Sequence, residues 1–584
     1  MTGDTVIKAL DGGFYLGGGS KSDISGDKSE NIIGDGYDFY DWDCECYIHF
    51  NAEDYWLVKT DVFGNVEWDL TIGGDGLDAF TSLQQTPDGG LILGGISNSD
   101  ISGNKSENSW GDSYDYWVVK LDSNHNIIWQ NTIGGIEDDY LSVVQFTADG
   151  GYILGGQSDS DSTGDKTENR LGACCHSDMW IVKLKPDGEI EWQNTIGGDN
   201  FEALGSISQT SDGGYIISGS SQSDISFDKT ENSNGGTDYW IVKLDSLGEV
   251  EWDKTIGGEN SEIGGQSIQT FDGGYFIFGS SNSEVSGDKN ETYTGEIINY
   301  DFWVIKLNSD LIIEWQNTIG GISRDILYTG IQTIDGGYLI AGNTSSPISG
   351  DKTESNIGED DIWIINLDSV GNILWQNIIG GVEDDFVGEI IQIEDNGYIL
   401  NCTSNSPISG DKAESNSDYD YWVIKLSPPC DTLFTEECNG YDDNCNGIID
   451  EGFSLYTLYM DNDDDNFGNP GIEIISCLES ITGYVTDNSD CNDSDSLIFP
   501  GSPEICNNID DNCNLFIDEG LPENTFFQDA DGDLYGNILI DTISCSDLIP
   551  GFVSDNTDCD DTNPLIYPGA LNCLMASTII VTIP

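Results

Sequence analysis

The chain has 584 residues, a formal charge of −87 and a pI near 4.1. That field repels nucleic acid and anionic lipid, so neither is an expected partner. An acidic disordered chain is also excluded, because 37% of residues are apolar and 10% aromatic. No apolar run reaches the roughly 18 residues of a membrane span, so no membrane insertion is expected. The first ten residues carry no signal-peptide core.

Residues 1–426 form an internal repeat, expected to be one domain. A Trp opens the same run seven times: W56-L-V-K, W117-V-V-K-L, W180-I-V-K-L, W240-I-V-K-L, W303-V-I-K-L, W363-I-I-N-L and W422-V-I-K-L. Their spacing is 59 to 63 residues. A second Trp follows twelve residues later in six copies, then an I-G-G step, and a D-G-G or D-N-G turn occurs seven times. Each unit reads as four short strands. In the third, Trp117, Val119 and Leu121 share one face and Val118 and Lys120 the other, the period of a sheet. The glycines supply the positive φ of tight hairpins. Four strands per unit without helical periodicity predict an all-β fold, a seven-bladed β-propeller. The last unit ends after its third strand, so a closing strand and a signal peptide are expected further upstream.

Between the second and third strands every unit carries a polar loop such as S22-D-I-S-G-D-K28, with a lysine at 28, 105, 166, 229, 289, 352 and 412. One reading is a sevenfold binding surface for a cation or polysaccharide. The simpler one is that each lysine pairs with its flanking acids and pins its loop at the surface, worth less than about 1 kcal/mol per pair. Two loops carry Cys44, Cys46 and His49, and Cys174, Cys175 and His176. Local disulfides or accidental cysteines are expected there rather than a shared soft-metal site. Cys402 falls in a strand and is expected to be buried.

Residues 427–573 read as small acidic, Cys-rich metal-binding modules, with 574–584 a truncated segment. From Leu426 onward there are 32 Asp and Glu and no Lys, Arg or His. Such a segment cannot neutralise itself, and close like charges repel by about 1 kcal/mol per pair even in water. Oxygen ligands without imidazole select a hard cation, and calcium fits first. Three blocks recur. The first places Asp442, Asn444, Asn446 and Asp450 at EF-type loop positions, with Glu451 beside them; its copy has Asp510, Asn512, Asn514, Asp518 and Glu519. The flanks are not helical, so the loop is EF-like without the EF-hand fold. The second block gives Asp461, Asp463 and Asp465, then Asp529, Asp531 and Asp533. The third supplies Asp490 and Asp493, then Asp558 and Asp561. Ten cysteines from Cys430 to Cys573 point to disulfides and an oxidising compartment. The expected pairs lie within a repeat: Cys438–Cys445, Cys506–Cys513, Cys477–Cys491 and Cys545–Cys559.

These blocks resemble the metal-binding motif named after the MopE copper protein, and D529-A-D-G-D-L-Y-G is similar to thrombospondin type 3 calcium repeats. The propeller units resemble repeats of large secreted bacterial surface proteins. The resemblance implies metal binding and a secreted or cell-surface location. Copper does not carry over, because the segment has no His and no free-thiol signature. The expected function is extracellular calcium binding with an interaction scaffold for polysaccharide or a surface protein, in adhesion or glycan binding. A secreted carbohydrate-active enzyme is the alternative. It is disfavoured because the chain has three His and two Arg, all away from repeat positions, and no nucleophile motif.

Overall fold

The computed structural model describes residues 5–41, 46–50, 52–111, 113–172, 176–295, 299–393, 397–414, 419–427, 452–463, 465–477, 479–481 and 483–570. Side chains between 37 and 51 are outside that description, as are Cys174 and Cys175. The chain divides into two compact units, Met1–Pro428 and Pro429–Pro584. Among the described residues there is no helix.

The first unit is propeller-like. It contains six four-stranded antiparallel sheets and a final three-stranded one, Asp385–Gln392, Tyr398–Ser404 and Asp420–Leu426. The second sheet is typical, with strands Asp78–Gln85, Leu91–Ser97, Asp115–Leu121 and Ile127–Ile133. The third-strand Trp pairs with a small residue of the second strand, as Gly95 with Trp117 and Gly156 with Trp180. A small partner leaves room for the indole.

In the second to sixth sheets both faces of the third strand are buried, because each of these sheets is sandwiched between two others, whereas Asp420–Leu426 of the last sheet is half-exposed. Trp117, Val119 and Leu121 pack with Tyr55 and Leu57 of the preceding sheet. Tyr116 and Val118 pack with Trp180, Val182 and Leu184 of the following one. This is why the run lacks the polar face of a half-exposed strand. Tyr hydroxyls cross the same interfaces, Tyr55 to the Trp117 carbonyl at 3.0 Å and Tyr116 to that of Trp180 at 3.2 Å. The first sheet also packs on the last. Val6, Phe14, Leu16 and Val58 cluster with Ile393 and Ile399, and Trp56 stacks on Tyr421 at 5.0 Å.

The D-G-G turns need both glycines for different reasons. Gly89 has φ +78°, whereas a side chain on Gly90 would stand 2.2 Å from the Leu121 carbonyl. Asp88 accepts from the Gly90 amide at 3.1 Å and pairs with Lys120 at 3.3 Å. Lys59, Lys183, Lys243 and Lys306 make equivalent pairs.

The loop lysines correct the surface-pair expectation. All seven are 1–5% exposed. Six of the ammoniums, those of Lys28, Lys105, Lys166, Lys229, Lys289 and Lys412, lie over the third-strand Trp of their own unit, 5.2 to 5.7 Å from the ring centroid, and Lys352 donates to the Ser346 carbonyl at 2.5 Å. Lys105 also donates to Thr132 at 2.6 Å and Lys229 to Thr255 at 2.7 Å. The loop folds over the sheet, and the long lysine stem reaches inward to the indole face instead of outward to its acidic neighbours.

The second unit has two three-stranded sheets. Tyr456–Met460 lies between Glu473–Ser476 and Tyr484–Val485, and Asn524–Gln528 between Asn537–Ser544 and Phe552–Val553. Its buried apolar side chains among the described residues are Leu458, Ile498 and Phe526. A core that small needs staples. Cys491 bonds Cys513 and Cys506 bonds Cys545, with Cα–Cα distances of 5.7 Å in both. The expected Cys506–Cys513, Cys477–Cys491 and Cys545–Cys559 pairs are therefore wrong. The loop from Asp510 curls tightly on its own carboxylate and turns Cys513 back toward Cys491, so the bridges join successive blocks instead of closing one. Cys402 is buried in the first unit and stands outside any disulfide.

Candidate metal centre

Three acidic loops share one wiring. The first carboxylate accepts the amides four and five residues on: Asp461 from Asp465 (3.1 Å) and Asn466 (3.0 Å), Asp529 from Asp533 (3.2 Å) and Leu534 (3.0 Å), Asp510 from Asn514 (3.1 Å) and Leu515 (2.6 Å). The fifth residue caps the seventh, as Asp465 does Phe467 at 2.8 Å and Asp533 does Tyr535 at 3.0 Å. The sixth residue is left-handed each time, with φ +74° at Asn466, +77° at Leu534 and +74° at Leu515. This curl turns side chains one, three and five toward a common point.

In two of the loops the acids converge. Oxygens of Asp461, Asp463 and Asp465 lie within 4.8 Å of one another, as do those of Asp529, Asp531 and Asp533. Asp531 also converges with Asp558 and Asp561 within the same limit. The third block is held against the second by backbone and ring contacts. The Asn462 amide donates to Asp493 at 2.9 Å and Ala530 to Asp561 at 2.8 Å. Phe467 stacks on Phe499 at 5.5 Å and Tyr535 on Tyr567 at 5.9 Å.

Several of these oxygens are sheltered and have no hydrogen-bond partner: both of Asp463 and Oδ2 of Asp465, Asp490, Asp531, Asp533 and Asp558. Burial first, and then neighbouring acids, push the Asp463 carboxyl above its ordinary range; the neighbours are Asp465, Asp490, Asp461 and Asp493. Asp490 and Asp531 are raised in the same way. Sheltered, unpaired and mutually repelling oxygens are a donor set for a cation.

The EF-like copy is assembled differently. Asn512 donates to Glu519 Oε1 at 2.8 Å and Asn514 donates to the same oxygen, leaving Glu519 Oε2 without a partner. Asn512, Asn514 and Glu519 thus meet. Asp518 does not join them, because its carboxylate accepts the Asn507 amide at 2.9 Å and that of Asn508 at 3.2 Å. Its earlier counterparts, Asp442, Asn444, Asn446, Asp450 and Glu451, lie outside the described residues. Sequence reasoning missed Glu504, which accepts the amides of Asn512 (3.0 Å) and Asp518 (2.9 Å), and the 2%-exposed Asp511, which caps Ile505. Both sit among so many acids that nothing in the pattern sets them apart.

Residues 434–451, 490–519 and 558–573 match the family model Cu-binding MopE, described as a putative metal-binding motif. The C-terminal region therefore carries a MopE-type motif. Among the described residues of the motif, Cys491, Cys513, Cys506 and Cys545 are tied in disulfides and the converging oxygen donors are carboxylates, a set that suits a hard cation better than copper. No curated protein matches the chain in sequence. Among solved structures, a Dyadobacter fermentans protein of unknown function is 11% identical, covering 60% of this chain and 94% of its own, with a TM-score of 0.35. Kuenenia stuttgartiensis hydrazine synthase is 10% identical over 73% of this chain and 95% of its own, TM-score 0.36. Sqt1 from Chaetomium thermophilum is 12% identical over 56% and 67%, TM-score 0.30. Likenesses this distant say nothing about function.

Proposed function

We propose that the second unit is a calcium-binding module whose fold depends on its ions, and that the first is a seven-bladed β-propeller serving as an interaction scaffold. The protein acts outside the cell or at its surface, in adhesion or in binding a glycan or protein, and not as an enzyme. The observation that carries the calcium reading is the set of sheltered, partnerless oxygens on Asp463, Asp465, Asp490, Asp531, Asp533 and Asp558, in a segment with no cationic side chain. All are hard donors, and the repeated loop curl resembles the way calcium loops gather theirs. Two disulfides among the described residues fit an oxidising compartment. Calorimetry of the whole chain tests the reading: several calcium ions bound, magnesium weaker and copper without stoichiometric uptake. Stoichiometric copper with no calcium uptake would overturn it.

A further inference from the structure

Six times along the first unit an acid opens the third strand, and another acid opens the next first strand 24 residues later. The pairs are Asp54 and Asp78, Asp115 and Asp139, Asp178 and Glu202, Asp238 and Glu262, Asp301 and Asp325, and Asp361 and Asp385. All twelve are 0% exposed. One oxygen of each first acid is anchored to backbone, as Asp115 to the Trp110 amide at 2.6 Å and Asp54 to Ile33 at 2.6 Å. The other, Oδ1 of Asp54, Asp115, Asp178, Asp238, Asp301 and Asp361, has no hydrogen-bond partner.

The I-G-G glycine closes over that oxygen. A methyl group on Gly73, Gly134, Gly197, Gly257, Gly320 or Gly380 would lie 1.8 to 2.3 Å from it. At Gly197 the same methyl would also be 3.1 Å from Glu202 Oε2, and at Gly257 2.8 Å from Glu262 Oε2. At Gly197 and Gly257 the two carboxyls of a pair thus face the same backbone-roofed space, and in the other sheets the first acid sits under the equivalent glycine while the second acid accepts the amide of the next one at Gly74, Gly135, Gly321 and Gly381. The second acids are also held: Asp139 accepts from the Gly135 amide at 2.7 Å and the Ser160 hydroxyl at 3.1 Å. The hydroxyls of Ser97, Ser158 and Thr344 lie beside Asp78, Asp139 and Asp325.

Positive charge is supplied by the buried loop lysines, one between successive pairs. Lys105 faces Asp78 and Asp115, Lys166 faces Asp139 and Asp178, Lys229 faces Glu202 and Asp238, Lys289 faces Glu262 and Asp301, and Lys352 faces Asp325 and Asp361. Lys28 faces Asp54, and Lys412 faces Asp385 and Asp420. The other charged groups near the first acids are themselves acidic: Glu53 by Asp54, Asp165 by Asp115 and Asp351 by Asp301. With every acid ionised, each acid–acid–lysine repeat would bury one uncompensated negative charge, which folded interiors do not sustain.

We propose that each of the six pairs holds one proton between its two carboxyls, making the first unit a ring of buried proton-binding sites. The proton gives the orphaned oxygen a partner and neutralises each repeat. Burial, with the partner acid adding to it, holds Asp54, Asp178 and Asp301 up to about 7 and Asp115 up to about 8, and burial holds Asp139 up to about 6. The folded state therefore keeps protons that unfolded aspartates release near 3.8, and stability falls as pH rises from about 4 to about 8.

The test is an infrared titration of the whole chain in saturating calcium, which silences the C-terminal acids. The C=O stretch of neutral carboxyl groups is expected to persist at about pH 6 and to fade by about pH 9, with the melting temperature of the first unit falling over the same range. Asp115→Asn replaces a shared proton with a fixed neutral amide, so the band should lose the intensity of about one carboxyl group and the pH slope about one proton. Asp301→Asn repeats the test in another sheet. Should neither variant fold, the unaltered chain still decides. No neutral-carboxyl band at about pH 6, or a melting temperature flat from about pH 5 to 8, would overturn the proposal.

Discussion

Replacing Asp463 with Asn should have opposite effects with and without calcium. Both Asp463 oxygens lack a hydrogen-bond partner, so the amide forfeits no internal bond. Two of its charged neighbours, Asp461 and Asp465, offer oxygens within 4.8 Å. At that distance each like-charge pair costs about 0.9 kcal/mol in bulk water, and physiological salt cuts this to about half. Two relieved pairs make the metal-free loop more stable by about 1 kcal/mol. With calcium present the variant has lost a charged ligand, and affinity should drop tenfold or more, about 1.4 kcal/mol. Hydrogen-exchange mass spectrometry over residues 456–477 reads both states, because the amides of Asp465 and Asn466 are bonded to Asp461. Exchange slower than wild type in chelator and faster at limiting calcium is expected. If Asp463→Asn speeds exchange equally in both conditions, neither mutual repulsion nor metal ligation explains this residue.

Leu534→Gly should stabilise the calcium-loaded second unit by about 1 kcal/mol by relieving a left-handed leucine, less the unfolded-state freedom glycine adds. Chemical denaturation in calcium measures it; a loss of stability would show that the leucine side chain contributes more than its backbone costs. Lys105→Ala should cost the first unit about 3 kcal/mol, since it leaves Asp78 and Asp115 without their shared counter-charge, and Trp fluorescence during denaturation reports it. Calcium affinity should weaken as pH falls, beginning above the usual carboxylate range, because Asp463, Asp490 and Asp531 hold protons more tightly than free aspartates. Calorimetry at stepped pH checks this; an affinity that stays flat until the ordinary carboxylate range is reached would show that the raised carboxyls are not ligands.

The repeated sheets were readable because their signals are local. A Trp within an alternating run, a D-G-G turn and a fixed period of about 60 residues each reflect backbone geometry within one unit. Depth was harder to read. S-G-D-K looks like a surface loop, and only the folded chain shows Lys105 lying over Trp117. The disulfides failed for a related reason: spacing says how far apart two cysteines lie along the chain, not which way a curled loop turns them. In the acidic segment the alternation of Asp461, Asp463 and Asp465 foretold a converging set, because a curled loop aims every second residue inward. Asp518 broke that expectation by capping Asn507 and Asn508. The acid pairs of the first unit carried a clear signal, the constant interval from Asp115 to Asp139 and its counterparts, hidden among the 106 Asp and Glu of the whole chain.

If the C-terminal unit is the ion-dependent module proposed above, its fold is lost when divalent metal is removed. Limited proteolysis of the whole chain, followed by mass spectrometry, compares saturating calcium with exhaustive chelation at low ionic strength. Cleavage confined to the calcium-free sample, within 452–570 and with 5–427 unaffected, is the predicted result. An equally resistant C-terminal unit in both samples would contradict it.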